Sequence, residues 1–174
     1  GADQMLTFDN RDGWIWLDGR FVPWREAQLH VLTHALHYGS AVFEGERMYA
    51  GRIFALEEHT ARLFNSAKML DFELPYTQAE INAASIEACR RNGLIDSYVR
   101  PIAWRGSEQL SVSASTTRIH VAIAAWAWPA YFDPDKLKRG IRLSWAAYRR
   151  PPATAAPTAA KAVGLYMICT VSKN

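Results

Sequence analysis

The sequence predicts an α+β protein: an N-terminal antiparallel sheet flanked by helices over residues 1–129, a connection at 130–139, and the start of a second α/β domain over residues 140–174. Three observations carry this. Short strand-like segments joined by turn signals fill the first third of the chain. Two helical periodicities then follow one another, and two longer strand-like runs come after them. Finally Pro129 to Arg139, with two prolines and the acids Asp133 and Asp135, interrupts the pattern.

The elements follow in order. Trp14-Ile15-Trp16-Leu17 and Phe21-Val22-Pro23-Trp24 flank Asp18-Gly19, a two-residue turn signal, and read as a tight hairpin. Ala27 to Leu32 reads as a short extended or 3₁₀ piece. Tyr38 to Tyr49 and Ile53 to Ala55, joined through Ala50-Gly51-Arg52, read as a second hairpin with glycines at close approaches. From Leu56 to Leu70, the residues Leu56, His59, Leu63, Ala67 and Leu70 recur at steps of three and four and form one buried helical stripe. Thr77, with Glu80 three residues later, makes a capping box for a helix that runs to about Asn92 and is ended by Gly93. Ser97 to Trp104 and Arg118 to Trp128 read as strands, and the small polar stretch Gly106 to Thr117 as a loop. Gly140 to Tyr148 reads as a strand, Arg149 to Pro157 as a Pro/Ala-rich connection, and Leu165 to Val171 as the start of a helix. A second domain of about 35 residues cannot bury a core of its own. The chain end therefore either packs onto the first domain or belongs to something longer, and the second is expected.

Composition narrows the function. The chain has 174 residues, 49% hydrophobic and 21% charged, with a formal net charge of +3, as expected of a soluble globular protein. Its arginines are spread out, which argues against a nucleic-acid partner but leaves room for a small phosphorylated or carboxylated ligand. Cys89 and Cys169 stand alone and read as small buried hydrophobes of a reducing compartment. Gly1 to Gln4 is polar, unlike a signal peptide, and the longest apolar run, Val121 to Trp128, is too short to span a bilayer. A cytoplasmic protein without a membrane partner is expected.

Several constellations bear on chemistry. Lys161 sits among Ala159, Ala160, Ala162 and Gly164, with Tyr166 five residues on. A lysine kept among apolar groups loses stability in its charged form and becomes a usable nucleophile, although a lysine in an Ala-rich stretch is also a common surface residue. Arg62 reads either as a solvated arginine or as a phosphate anchor, since guanidinium forks onto phosphate oxygens. Tyr98 and Arg100 share one face of a strand, an arrangement that suits a carboxylate or pairs with a surface acid. His30, His34 and His37 have ligand-like spacing, but no carboxylate or cysteine completes a set, so no metal is expected. Trp14, Trp16, Trp126 and Trp128 alternate within strands and read as sheet faces rather than base-stacking platforms. There is no GxSxG elbow and no Gly-rich phosphate loop.

Four segments, in order, resemble the branched-chain aminotransferases, which are class IV, fold type IV pyridoxal-phosphate enzymes. They are His34-Ala35-Leu36-His37-Tyr38-Gly39-Ser40-Ala41-Val42-Phe43-Glu44-Gly45, Glu58 to Lys68 around Arg62, Tyr98-Val99-Arg100-Pro101, and Arg149-Arg150-Pro151 running on to Ala160-Lys161-Ala162. The Tyr-Gly-x-x-Val-Phe-Glu-Gly segment favours the branched-chain subgroup over the D-amino acid aminotransferases and aminodeoxychorismate lyases. The resemblance implies a barrel-like cofactor domain beginning after residue 140, pyridoxal 5′-phosphate as cofactor, amino acids and 2-oxo acids as substrates, and a homodimer. It implies that Lys161 forms the Schiff base and shuttles the proton, that Tyr166 meets the cofactor's phenolic oxygen, and that Arg62 takes its phosphate. It implies that Tyr38, Phe43, Tyr98, Trp128 and Tyr131 wall the substrate pocket, that Arg100 takes the side-chain carboxylate of glutamate, and that Val112 reaches a neighbouring subunit's site.

Two departures qualify it. Gly164-Leu165-Tyr166 stands where the family usually has Gly-Asn-Tyr. The chain also stops before the family's glutamate for the pyridine nitrogen and its phosphate and α-carboxylate turns. The 174 residues alone are therefore expected to transaminate little or not at all, as a fragment of an active parent or as a non-catalytic dimerising remnant.

Overall fold

The computed structural model describes residues 7–128 and 134–173. Asp18 and Gly19 both lie at positive φ, 48° and 92°, as a two-residue hairpin turn requires. They join β1 (Trp14–Leu17) to β2 (Arg20–Pro23), with Leu17 opposite Arg20, so the first expected hairpin is present. A 3₁₀ turn follows at Trp24–Glu26, ahead of the expected Ala27 to Leu32, which is neither helix nor strand.

The second hairpin is only half as expected. His34–Tyr38 is a short helix, α1, closed by Gly39 in the left-handed region at φ 68°. After it come β3 (Ala41–Phe43), β4 (Glu46–Tyr49) and β5 (Arg52–Ile53). β4 and β5 form the hairpin, turning at Ala50 and Gly51, both at positive φ. α2 (Leu56–Met69) and α3 (Gln78–Arg91) match the sequence expectation closely. Thr77 accepts from the Glu80 N–H while Glu80 accepts from the Thr77 N–H, completing the capping box, and Gly93 follows at φ 63°. The buried stripe of α2 is rotated slightly from the expected one: Thr60, Leu63, Ser66 and Ala67 are buried, whereas Leu56, His59 and Leu70 are only partly covered.

β6 (Ser97–Arg105) and β7 (Ile119–Ala127) pair along their whole length and form the sheet's spine. The strand order is β2-β1-β7-β6-β4-β5, and β3 also lies on β6, so β3 and β4 share one edge of it. Pro101 explains why these are two strands. The Glu44 N–H donates to the Pro101 carbonyl at 2.9 Å, but proline has no N–H to return the bond. The ladder therefore lapses at Glu44-Gly45 and resumes at Glu46 opposite Val99.

Val42, Met48, Val99, Ala103, Val121 and Ile123 point to one face, where they meet Leu63 and Ala67 of α2 and Ile81 and Ala88 of α3 in the main core. Tyr98, Arg100 and Ile102 emerge on the other face. Cys89 is buried in the core, but Cys169 is exposed, contrary to expectation.

The last third departs most. Pro134–Arg139 is a helix, α4, within the expected connection, with proline at its first position, where its missing N–H costs nothing. Gly140 to Tyr148 is not a strand: Ile141, Leu143 and Trp145 are 84%, 86% and 101% exposed. Alternation alone does not make a strand; its N–H and C=O groups need an edge, and no described segment pairs with them. The final helix, α5, spans Met167–Lys173, after a 3₁₀ turn at Val163–Leu165. No helix among the described residues is long and apolar enough to cross a membrane.

Candidate active site

Residues 160–162 run beside β3. Val42 and Ala162 form an antiparallel bridge, and the Phe43 N–H donates to the Lys161 carbonyl at 3.1 Å. On the other side, the Lys161 N–H donates to Ser66 Oγ of α2 at 3.0 Å. Ala160 and Ala162 are buried, leaving the lysine side chain as the group that emerges. The 3₁₀ turn after it packs on the end of α1 through two glycines: a Cβ on Gly39 would come within 2.9 Å of Gly164 Cα. That turn brings Tyr166 back, so that Lys161 Nζ donates to Tyr166 Oη at 2.5 Å. The amine lies 4.6 and 4.7 Å from the ring centroids of Phe43 and Tyr166, which themselves meet edge to face at 4.8 Å.

Beside this amine is a cavity of about 530 Å³ lined by Phe43, Tyr98, Arg100, Ile102, Lys161, Val163 and Tyr166. Arg100 donates to Tyr98 Oη at 2.6 Å, and its guanidinium lies 4.5 Å from the Phe43 ring centroid. Gly45 is needed here, because a Cβ on it would collide with the Tyr98 hydroxyl. Tyr98 also meets the rings of Trp126 and Trp128 at 4.9 and 5.3 Å. Arg100, Ile102 and Val163 further line an apolar cavity of about 270 Å³ that extends to Ile15, Leu29 and Leu36.

Arg62 is half exposed but paired. Its Nε and Nη2 donate to the two carboxylate oxygens of Glu44, each at 2.6 Å, and His59 Nδ1 lies 2.8 Å from Glu44 Oε2. Glu44 is fully buried, and its hydrogen bonds hold Arg62 above the ordinary arginine value, with the nearby Tyr166 acting in the same direction. Two-point binding of this kind fixes the plane of the guanidinium and turns Nη1 away from Glu44.

Sequence reasoning did not single out Glu44, Glu46 or Ser66. The signal for the acids was their register: Val42, Glu44, Glu46 and Met48 alternate onto the core face, and an acid there needs a partner. Glu46 has none; both oxygens are buried without a hydrogen bond among the described residues. Burial, and then the neighbouring Glu44 charge, push its carboxyl up to about 8.

Tyr38 and Val112 are 48% and 78% exposed and do not line the 530 Å³ cavity. His34 links their two segments: its Nε2 bonds the Ser111 carbonyl at 3.0 Å, and its ring lies 4.7 Å from that of Tyr38. Trp128 lies just past β7, and Tyr131 falls outside the described residues. His30 and His37 are engaged locally, with the Leu32 N–H and the Val31 carbonyl respectively.

Known proteins resemble this chain in sequence and fold. Residues 41–172 match the model of the family described as amino-transferase class IV. A branched-chain-amino-acid aminotransferase of Pseudomonas aeruginosa is 43% identical over 166 residues, covering 93% of this chain and 54% of that protein. The crystal structure of a T.th. branched-chain amino acid aminotransferase with pyridoxamine 5′-phosphate is 42% identical, with a TM-score of 0.88 over 92% of this chain and 54% of that one. That of the branched-chain aminotransferase from Thermoproteus uzoniensis with norvaline is 36% identical, with a TM-score of 0.84 over 92% and 55%. This chain thus spans about half the length of the relatives it matches. The family match runs unbroken from β3 through the lysine segment to α5, the same stretch that builds the amine and its cavity, and on that ground the chain belongs to the class IV aminotransferases.

Proposed function

We propose that the protein carrying this chain is a pyridoxal 5′-phosphate-dependent aminotransferase that exchanges amino groups between leucine, isoleucine or valine and 2-oxoglutarate, with Lys161 as the reactive amine. The observation that carries the proposal is the Lys161 amine, 2.5 Å from a phenol and beside a cavity that joins aromatic walls to one arginine.

The residues present fit the cofactor. Arg62, held from behind by Glu44, presents Nη1 for a phosphate. Tyr166 supplies a hydroxyl for the phenolic oxygen. Alanine and glycine flanks let a flat ring approach the backbone. Bound there, pyridoxal phosphate supplies an aldehyde that holds the amino group in transit and a ring that takes up electrons when the substrate Cα–H bond breaks. Lys161 is then the group placed to receive and return that proton. Phe43 and Tyr98 bury a branched side chain, while Arg100, by leaving Tyr98, pairs with the carboxylate of the acidic substrate. Trp128 backs Tyr98. Tyr38 belongs to the substrate wall that the resemblance implies, and Val112, exposed beside Ser111, whose carbonyl meets His34, is the part offered to a second copy in a homodimer. A cytoplasmic location agrees with a soluble amino-acid enzyme.

Borohydride reduction of the cofactor-loaded full-length protein, followed by peptide mass mapping, tests the assignment. A pyridoxyl group on Lys161 and loss of turnover in Lys161→Ala, by at least about a thousandfold, are expected. Labelling elsewhere, or full activity of that variant, would sink the reading. Robust turnover of D-alanine without turnover of leucine would overturn the substrate assignment alone.

A further inference from the structure

α2 carries a polar stripe beside its buried apolar one. His59, Arg62 and Ser66 follow at steps of three and four, and all three are engaged across the gap to β3 and the lysine segment. Ser66 is 1% exposed, and its Oγ accepts the Lys161 N–H. The Lys161 carbonyl is held from the opposite side by the Phe43 N–H. Both peptide groups of Lys161 are therefore tied, one to a helix and one to a strand.

We propose that Ser66 is a positioning residue for the Lys161 amine. The proposal rests on the reading of Lys161 given above and concerns what aims it. A lysine side chain has several rotatable bonds, so the position of Nζ depends first on the direction of its Cα–Cβ bond. The strand contact alone leaves the segment a hinge about β3. The second tie, at Ser66, stops that rotation and directs the amine towards Tyr166 Oη and the cavity. Ser66 also lies one turn beyond Arg62, about 6 Å along the same helix axis. One rigid element thereby spaces the guanidinium that faces a phosphate from the amide that aims the lysine. A displacement of about 1 Å at a reacting group costs on the order of a hundredfold in rate.

The competing explanation is that Ser66 only satisfies a buried N–H. Amine reactivity separates the two. Full-length protein freed of cofactor, as wild type, Ser66→Ala and Ser66→Cys, is mixed with pyridoxal 5′-phosphate, quenched with borohydride at intervals, and mapped for label on Lys161. Ser85→Ala is the control; Ser85 is equally buried, in α3, and bonds the Ile81 carbonyl away from the site. Hydrogen exchange at the Lys161 amide is followed in parallel. Ser66→Ala should slow labelling by about tenfold or more and speed amide exchange, while Ser85→Ala leaves both unchanged. Ser66→Cys keeps the volume with a poorer acceptor, should fall between, and decides the matter if the alanine variant does not fold. Wild-type labelling rates in both Ser66 variants, whatever their stability, would overturn the proposal and leave the reading of Lys161 intact. Wild-type protein that takes no label on Lys161 would overturn both.

Discussion

Glu44 and Glu46 lie two residues apart on the same buried face and have opposite fates. Glu44 is matched by Arg62 and His59, so its charge is compensated. Glu46 faces Val99 across the sheet with no hydrogen-bond partner among the described residues, and its carboxyl is pushed up to about 8. In the unfolded chain it titrates near 4.5, so between these values the folded state holds a proton that the unfolded state releases. The favourable contribution is fully present below about 4.5 and is lost as pH rises through about 8. The difference is on the order of 5 kcal/mol. Glu46→Gln removes the titration: thermal melts should show the variant gaining on wild type, by several degrees, as pH rises across that window. A difference that stays constant with pH would contradict this account. The register puts both acids on the core face, but their different fates were not legible in the sequence, because a strand pattern shows which face a residue takes and not what the opposing helix brings to meet it.

Among the elements, those with their own local signals were read correctly. The Asp18-Gly19 turn and the Thr77/Glu80 capping box depend on neighbours within three residues, and both are in the structure. The box also yields a prediction. Thr77→Ala loses the acceptor for the Glu80 N–H and should cost about 1 kcal/mol. Calorimetry should show the melting temperature lowered by about 2–4 °C, with Thr77→Ser close to wild type. Two elements decided by distant partners were misread. The strand expected from Tyr38 to Tyr49 is broken at Glu44 by Pro101, which lies far along the sequence and cannot complete the ladder. The strand expected at Gly140 to Tyr148 has the right alternation but no edge among the described residues.

For the molecule as a whole, a division at 130–139 is our proposal, and among the described residues specific links cross it. Lys138, Arg139, Arg142 and Arg149 are exposed, whereas residues 160–162 are tied to β3 and α2. Limited trypsin digestion should cut first between 138 and 149. The two pieces should then co-elute in native size-exclusion chromatography and separate only in denaturant; separation under native conditions would refute the tie. The sequence by itself determined the antiparallel sheet with its two packed helices, the hairpin turns and caps, and the kinship that singles out Lys161, Arg62, Phe43, Tyr98, Arg100 and Tyr166. Each of these rests on local spacing or on ordered motifs that the chain states directly. Only the tertiary structure decided that Phe43, Tyr98, Arg100, Lys161 and Tyr166 share one cavity while Tyr38 and Val112 lie outside it. It alone decided that Glu44 holds Arg62 and that Ser66 holds the lysine backbone. Those contacts join residues up to 95 positions apart, and their geometry follows from how the sheet edge and α2 pack, which no local pattern encodes.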